Sequence, residues 1–429
     1  MPEANVATFR SYSRFTRLQS AWRRFQKGLE RPLTPYYLIL GSAALILVLG
    51  LLMVFSASQI QARLEGLPFD YYFKKQLISI VLGAGLMYLA VRLPVRVHRA
   101  LAYPLLLGVI LLLLAVMVPG IGVAVNGNRN WIRLGGFFQI QPSEFAKLAL
   151  VLWAADLLTR KQQMKTLGEW KHLLIPLVPV GLLLLALVLA GGDMGTAMII
   201  CALLFGLLWM AGAPARLFSA SALLALLVSA LLIITVPHRL SRLSCIGATH
   251  VGADGSCFQA VHGIWALASG GIFGTGIGAS VQKWGQLPEP HTDFIFAVTG
   301  EELGLAGTVS VLVLFAALGY AGIRVAVRTK EPFIRYAAGG ATTWIMAQAM
   351  INIGAALELL PIAGVPLPMF SYGGSALLPT MFAVGLLLCF ARSEPSAKAA
   401  LAARSRRKGK GKTDKQDRRR FLRWPHKER

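Results

Sequence analysis

Long apolar runs dominate this chain, and the polar segments between them hold most of the charges. A transmembrane helix needs about 20 mainly apolar residues. The pattern predicts an all-α, polytopic integral membrane protein with ten transmembrane helices. The predicted spans lie at residues 35–57, 75–92, 98–118, 142–159, 172–190, 194–212, 214–236, 294–323, 334–360 and 376–391.

Lysine and arginine are distributed unevenly between the runs, and this asymmetry predicts the orientation. They concentrate in both tails and in segments 92–99, 159–171 and 324–335. Cytoplasmic segments carry such an excess, so both termini are predicted to be cytoplasmic. The opposite segments are then extracellular: 58–74, 119–141, 237–293 and 361–375.

The longest outer segment, residues 237–293, joins spans seven and eight and is rich in glycine. Its Trp265, Phe273 and Trp284 argue against disorder and favour short amphipathic helices on the membrane surface. The chain divides into a basic cytoplasmic tail (1–33), a membrane domain (34–392) and a basic disordered tail (393–429).

Composition supports a membrane protein and limits the choice of partners. Of 429 residues, 55% are hydrophobic and only 14% are charged, against about a quarter in soluble proteins. The net charge of +24 is concentrated, because 21 of the 43 lysines and arginines lie in the two tails. Such tails favour contact with anionic membrane lipids, and no nucleic-acid role is predicted.

Two of the four cysteines, Cys245 and Cys257, flank a polar part of the long outer segment. An extracytoplasmic position permits a disulfide, so we expect this pair to be bridged. The alternative is two unpaired thiols beneath a folded loop. Cys201 and Cys389 fall inside predicted spans, where inert packing is expected.

Several acidic residues lie where lipid or a helix end is expected. Glu144 and Lys147 are three residues apart on one helix face and can pair. They either line an outward-opening cavity or form a structural ion pair. Asp193, between spans five and six, is a binding candidate or a helix N-cap. Of the consecutive Glu301 and Glu302, one is expected to face the cavity and the other a neighbouring helix.

Two further outer segments carry candidate binding groups. Arg129 and Arg133 can bind a diphosphate, since a guanidinium contacts phosphate through two hydrogen bonds, or they can anchor the loop at the interface. Ser371 precedes the paired Gly373 and Gly374. Paired glycines permit close approach of a ligand or of a neighbouring helix.

The segment before span eight contains the most unusual cluster of the chain. Glu289, His291 and Asp293 lie within five residues, at the mouth of a long apolar run. Ionisable groups at membrane depth are costly and tend to be functional. Asp293 is the candidate catalytic residue, because it immediately precedes the span, and Glu289 and His291 are candidate supports for the loop or for a ligand.

Four motifs resemble the SEDS family of shape, elongation, division and sporulation proteins, which includes FtsW and RodA. The resemblance extends from about Pro35 to Arg392 in the family's motif order. The cysteines and basic tails are most similar to the FtsW branch of high-GC Gram-positive bacteria. The motifs are QPSEFAK (141–147), LPEPHTDFIFA (287–297), GEELG (300–304) and SYGGS (371–375).

The resemblance implies an inverting peptidoglycan glycosyltransferase that polymerises lipid II on the outer face of the cytoplasmic membrane during cell division and releases undecaprenyl diphosphate. It places the essential acid at Asp293, as a base or as the ligand of a divalent cation, Mg²⁺ or Mn²⁺. It places the conserved intramembrane pair at Glu144 and Lys147. The implied partners are a class B penicillin-binding protein, an FtsI-like transpeptidase, and other divisome proteins at the septum.

One departure from the family pattern narrows the diphosphate candidates. Asn130 stands where the family often has an arginine before Trp131, which leaves Arg129 as the nearby cation. Three other functions stay open from the sequence: a lipid II flippase, a RodA-type elongation polymerase and a division scaffold.

Overall fold

Membrane-length helices form most of the structure, a computed structural model. It describes residues 30–125, 128–133, 139–219 and 257–403, together with residues 28, 135, 222–223, 245, 247 and 250–252. The described helices are α1 (Thr34–Leu64), α2 (Tyr71–Arg92), α3 (Val95–Met117), α4 (Pro142–Gln163), α5 (Trp170–Leu174), α6 (Leu177–Ala190), α7 (Met194–Met210), α8 (Phe258–Ser269), α9 (Ile295–Arg328), α10 (Pro332–Ala356) and α11 (Gly374–Ser393).

Six helical segments of the described chain are long and apolar enough to cross a membrane. Nine of the ten predicted spans coincide with described helices, whereas most of the predicted span at 214–236 lies outside the described residues. Membrane segments of α1, α3 and α9 expose Val48, Leu107 and Val313. Exposed apolar surface of this extent fits contact with lipid. The six spans are Thr34–Leu64, Tyr71–Arg92, Val95–Met117, Lys171–Ala190, Ile295–Arg328 and Gly374–Ser393.

Helices α4 and α10 form the centre of the bundle and pack against each other. Helix α4 is buried along nearly its whole length although it contains Glu144, Lys147, Asp156 and Arg160. Its low hydropathy therefore reflects burial in protein rather than in lipid. Around this centre, α3 and α7 pack on α4 and α10, α9 packs on α1, and α11 packs on α2.

A small antiparallel sheet corrects the prediction of an all-α fold. Strands β1 (Gly122–Val125), β2 (Asn128–Arg133) and β3 (Gln139–Ile140) lie in the order β1-β2-β3. The segment is short and polar, and its strands pair with each other instead of joining a helix. We call the end of the bundle that carries this sheet the sheet end; Asp193 and Asp293 also lie there.

Helix α9 is broken at Gly304, where φ is 66° and ψ is −162°. The carbonyls of Glu301 and Glu302 accept hydrogen bonds from the amides of Thr275 and Gly276. Hydrogen bonds also run in the other direction, because the amides of residues 305 and 306 donate to the carbonyls of residues 271 and 272. Residues 271–276 thus satisfy the backbone groups that the break exposes, which a membrane protein must do internally.

The long outer segment contains one described helix, α8, which packs against α9. Phe273 is 86% exposed and Trp284 is 64% exposed. Helix α8 supplies an ordered element where the sequence predicts a surface helix. The exposed aromatic side chains are of the kind that favours the membrane–water interface.

Gly274→Ala is expected to destabilise the fold by about 2 kcal/mol or more. Gly274 has φ of +80°, and a Cβ there would lie 2.2 Å from the carbonyl oxygen of Glu302. The free energy of unfolding, measured with a denaturing detergent in mixed micelles, checks this.

Gly85→Ala is the matched control. Gly85 lies in α2, and a Cβ there meets no atom within 4 Å. Alanine is the better helix former, so we expect unchanged or slightly higher stability. Equal unfolding free energies for the two variants would contradict the described path of residues 271–276.

Candidate active site

Asp293 lies at the sheet end, in the loop that ends where α9 begins. Its carbonyl accepts a hydrogen bond from Asn352 Nδ2 at 2.9 Å, and the same amide donates to the carbonyl of Val365 at 2.8 Å. Asn352 belongs to α10. One side chain of the central helix therefore fixes both the Asp293 loop and the loop that precedes α11.

A small cavity opens beside Asp293, with a volume of about 210 Å³ including solvent at its mouth. Asp293, Asn352 and Gly364 contribute to its lining. Asn352 Oδ1 is buried and has no hydrogen-bond partner among the described residues. Gly364 has φ of +67°, and a Cβ there would lie 3.7 Å from Asp293 Oδ2. The cavity therefore combines a carboxylate and a free amide oxygen with mainly apolar walls.

His291 is buried between two tyrosines, with ring centroids 4.8 Å from Tyr72 and 5.4 Å from Tyr372. Burial lowers the pKa of His291, and the nearby carboxylates of Glu289 and Glu65 oppose this shift. Its carbonyl accepts the amide of Tyr372. His291 thus packs between the two tyrosines and supports the loop.

Glu289 shapes the same loop. It adopts φ of +52°, and its Oε2 accepts a hydrogen bond from Thr292 Oγ1 at 2.8 Å. Its carbonyl also accepts the amide of Phe294. The described contacts of Glu289 are thus local and hold the turn that precedes Asp293.

The SYGGS motif also holds the Asp293 loop in place. Ser371 Oγ donates to the carbonyl of Thr292 at 2.6 Å and accepts the amide of Leu367. The Gly373 amide donates to Gln76 Oε1 at 3.2 Å. A Cβ on Gly374 would lie 2.5 Å from Ser79 Oγ. The paired glycines were expected to permit close approach of a ligand or of a neighbouring helix. The geometry shows close contact with a neighbouring helix.

Asp193 caps α7 and joins it to α4. Its Oδ1 accepts the amide of Thr196 at 2.9 Å, and its Oδ2 accepts Gln141 Nε2 at 2.7 Å and Ser143 Oγ at 2.8 Å. The side chain is buried. The predicted N-cap is therefore present, with two additional hydrogen bonds.

A second cavity, of about 250 Å³ including solvent, lies next to Asp193. Arg129 and Asn130 contribute polar groups, and the ends of α3 and α6 supply apolar walls. Arg129 and Arg133 are exposed and lie in β2 on either side of a β-bulge at Asn130. Only Arg129 lines this cavity.

Glu144 and Lys147 form a fully enclosed ion pair, with Lys147 Nζ 2.8 Å from Glu144 Oε1. The ammonium also donates to Gln348 Oε1 at 2.9 Å and lies 5.3 Å from the ring centroid of Trp344. Both partners belong to α10. The pair therefore joins α4 to α10, and a substrate could reach it only if these helices separated.

Cys245 and Cys257 are joined by a disulfide, with 5.0 Å between their Cα atoms. This is the predicted pairing. Cys257 immediately precedes α8, so the bridge anchors the start of that helix. Cys201 and Cys389 are free thiols.

The chain is similar to known proteins in both sequence and fold. The profile of a cell cycle protein family, FtsW/RodA/SpoVE, matches residues 36–395. The chain belongs to this family. It is 40% identical over 380 residues to the probable peptidoglycan glycosyltransferase FtsW of Mycobacterium tuberculosis, covering 89% of this chain and 72% of that protein. It is 34% identical to the stage V sporulation protein E of Bacillus subtilis, covering 84% and 97%.

Two solved structures share the fold of this family member at 28% sequence identity. One is a chain from a peptidoglycan synthase complex that coordinates polymerization and crosslinking, with a TM-score of 0.67, covering 83% of this chain and 97% of that one. The other is the rod shape determining protein RodA of Thermus thermophilus, with a TM-score of 0.62, covering 84% and 97%.

The resemblance to the FtsW/RodA/SpoVE family also implies a divalent cation. Among the described residues, no three His, Cys, Asp or Glu side chains converge on a common point. Mg²⁺ commonly takes one or two carboxylates together with substrate phosphates. Asp293 and the unpartnered Asn352 Oδ1 line one cavity, and this donor set fits a cation shared with a phosphorylated substrate.

Residues outside the predicted set hold this family member's site together. Asn352 is one, and its signal is an amide side chain within an apolar run. Lys283 is another, because its ammonium is buried in an ion pair with Glu302. No local pattern reveals the Lys283 contact, which joins the segment before Asp293 to the second turn of α9.

Asp193→Ala is expected to lower the free energy of unfolding by about 2–4 kcal/mol, because it removes a cap and two buried hydrogen bonds to a carboxylate. Unfolding in mixed micelles measures the effect.

Asp70→Ala is the matched control for Asp193. Asp70 is also an N-cap residue, of α2, but its side chain makes no cap hydrogen bond and pairs with the largely exposed Lys74. A surface ion pair contributes about 0–1 kcal/mol. An Asp193→Ala effect as small as that of Asp70→Ala would be inconsistent with the described contacts.

Proposed function

We propose that the protein is a peptidoglycan glycosyltransferase that extends glycan strands from lipid II on the outer face of the cytoplasmic membrane during cell division. The observation that carries the proposal is the Asp293 carboxylate, which lines a cavity at the sheet end of an FtsW/RodA/SpoVE family member. Relatives that match most of the chain are named probable peptidoglycan glycosyltransferase FtsW.

Asp293 acts as the general base. An acceptor sugar hydroxyl attacks the anomeric carbon of the lipid-linked donor, and its proton passes to the Asp293 carboxylate. The bond between that carbon and the diphosphate oxygen breaks, so that polyprenyl diphosphate leaves and the anomeric configuration inverts. One carboxylate suffices, because the diphosphate leaves as a stabilised anion, whereas glycosidases use two carboxyl groups.

The second cavity suits the diphosphate of a lipid-linked substrate. Arg129 offers a guanidinium beside apolar walls from the ends of α3 and α6, which matches a charged diphosphate attached to a hydrocarbon chain. Arg133 supplies further positive charge on the same strand. Lys147 is the weaker candidate, because its ammonium is enclosed.

The two cavities have a common boundary. A Cβ on Gly195, two residues beyond Asp193, would lie 2.4 Å from the carbonyl oxygen of Ala363 and from Val365 Cγ1. Ala363 and Val365 line the Asp293 cavity, and Asp193 lines the other. Two lipid-linked substrates could therefore bind in adjacent cavities.

A divalent cation, Mg²⁺ or Mn²⁺, would be held by Asp293 with help from Asn352 Oδ1. When bound, such a cation neutralises diphosphate charge and acidifies a bound hydroxyl. The residues' own task is to orient the acceptor and take its proton.

The proposed topology is ten transmembrane helices with both termini in the cytoplasm. Basic residues at the ends of α2, α4, α9 and α11 support it. The sheet end, with Asp293, then faces outward, where glycan strands are made. The basic tails would contact anionic lipids of the inner leaflet.

The proposed protein partner is a class B penicillin-binding protein, a transpeptidase that crosslinks the new strands at the septum alongside other divisome proteins. Support comes from the structurally similar chain, which belongs to a synthase complex that coordinates polymerization and crosslinking.

Asp293→Asn is expected to lower glycan polymerisation by about 100-fold or more, since a general base contributes about 10²–10⁴-fold. Purified protein is given labelled lipid II, with and without its transpeptidase partner, and chain length is read on gels. Protein level and partner binding should stay at the wild-type values.

Asp70→Asn is the control, because it removes a carboxylate from a surface ion pair and should retain full polymerisation. Wild-type polymerisation by Asp293→Asn would refute the assignment of the base. If the wild-type protein moves lipid II across vesicles without forming polymer, it is a flippase; if it does neither, it is a scaffold. Complementation of a septation mutant but not of an elongation mutant separates the FtsW role from the RodA role.

Removal of divalent cations is expected to lower wild-type polymerisation by at least about tenfold, and added Mg²⁺ or Mn²⁺ should restore it, because diphosphate departure needs positive charge. Titration of cation into chelator-treated protein provides the measurement. Asp293→Asn should stay inactive at every cation concentration. Undiminished turnover in excess chelator would exclude the proposed cation.

A further inference from the structure

The consecutive residues Glu301 and Glu302 both bind the outer segment that leads to Asp293. Glu301 Oε1 accepts the amide of Val281 at 2.7 Å, and its Oε2 accepts Ser280 Oγ at 2.5 Å. Glu302 Oε1 pairs with Lys283 Nζ at 2.6 Å. Both carboxylates are buried, so neither is available to a substrate in this conformation.

Lys283 is the residue that joins this segment to two helices. Its ammonium donates to Ser56 Oγ of α1 at 3.0 Å, and Ser56 Oγ lies 2.7 Å from both oxygens of Glu302 in α9. Lys283 is only 5% exposed. A buried lysine is retained as a charge only when it is paired in this way.

The contacts of residues 280–283 continue along the chain towards Asp293. The amide of Leu287 donates to the carbonyl of Gln282 at 2.8 Å, which closes a turn directly after Lys283. Leu287 is buried, and the Glu289 turn follows. The segment is therefore held upstream by α9 and downstream by Ser371 and Asn352.

We propose that Lys283 is a positioning residue for glycan polymerisation. Its ion pair with Glu302 fixes the upstream end of the segment whose downstream end presents Asp293 to the acceptor. This inference rests on the proposed function, because it takes Asp293 as the base. Lys283 itself touches no reacting atom.

The expected effect falls on turnover and not on substrate binding. Misplacement of a catalytic group by about 1 Å can cost about 100-fold in rate. The second cavity, where the diphosphate is proposed to bind, shares no lining residue with the Lys283 contacts. Loss of the Lys283–Glu302 ion pair, which we call the tether, should therefore lower kcat and leave KM nearly unchanged.

The test compares Lys283→Met, Glu302→Gln and the double variant. Each single change leaves a buried group without its partner and should destabilise the protein, whereas the double change removes both charges and should restore much of the stability. The double variant still lacks the tether. We expect its kcat to stay about tenfold or more below wild type, with KM within about threefold.

Lys74→Met is the matched control, because it breaks an exposed lysine–aspartate pair on α2; its kcat and KM should equal those of wild type. A double variant whose kcat returns to the wild-type value along with its stability would overturn the proposal and leave Lys283 a purely structural role.

Amide hydrogen exchange separates this inference from the proposed function. In the double variant, exchange at residues 284–294 should be faster than in wild type, whatever the reaction. Unchanged exchange would overturn the positioning role. A wild-type protein that forms no polymer from lipid II would refute the proposed function, while the exchange measurement would still decide whether Lys283 holds the loop.

Discussion

The break in α9 at Gly304 is the constraint on which the site depends. A helix interrupted within a membrane protein leaves amides and carbonyls that lipid cannot satisfy. Residues 271–276 supply the missing hydrogen bonds in both directions. Because backbone bonds at the break hold this segment, the chain that follows it returns to the sheet end along a defined path.

Side chains from several helices and loops then hold the candidate active site in place. Asn352 of α10 and Ser371 before α11 bind carbonyls of Asp293 and Thr292. The buried ring of His291 and the partly buried ring of Tyr372 fill the space behind them. Burial also raises the pKa of the Tyr372 hydroxyl. The Asp293 carboxylate is thus carried on a loop that the side chains of Asn352 and Ser371 hold in place. A fixed position suits a base that must meet a large, flexible substrate.

Hydropathy was sufficient to predict most of the helical architecture, and charge at a membrane mouth singled out the cluster of Glu289, His291 and Asp293, while the catalytic role of Asp293 stays a prediction. Hydropathy was not sufficient to predict the sheet, because the segment 122–140 is too short and irregular to show strand alternation. Glu302 contacts Ser56 of the neighbouring helix α1, as expected for one of the two glutamates, whereas the expectation that the other faces the cavity was wrong. Both bind residues 280–283, and only the three-dimensional path of the long loop brings that segment to them. The predicted roles of Arg129 and Lys147 in substrate binding stay predictions.

Segment 275–283 is attached to α9 through backbone bonds at one end and through side chains at the other. Most loops accept insertions and deletions readily. Here, one added or missing residue would shift both sets of contacts out of register. The number of residues between Thr275 and Lys283 should therefore vary less among homologues than their identity does, because exposed positions such as Ile277 meet no such demand. Epitope tags and reporter insertions belong elsewhere, for example at the open turn of Gly66.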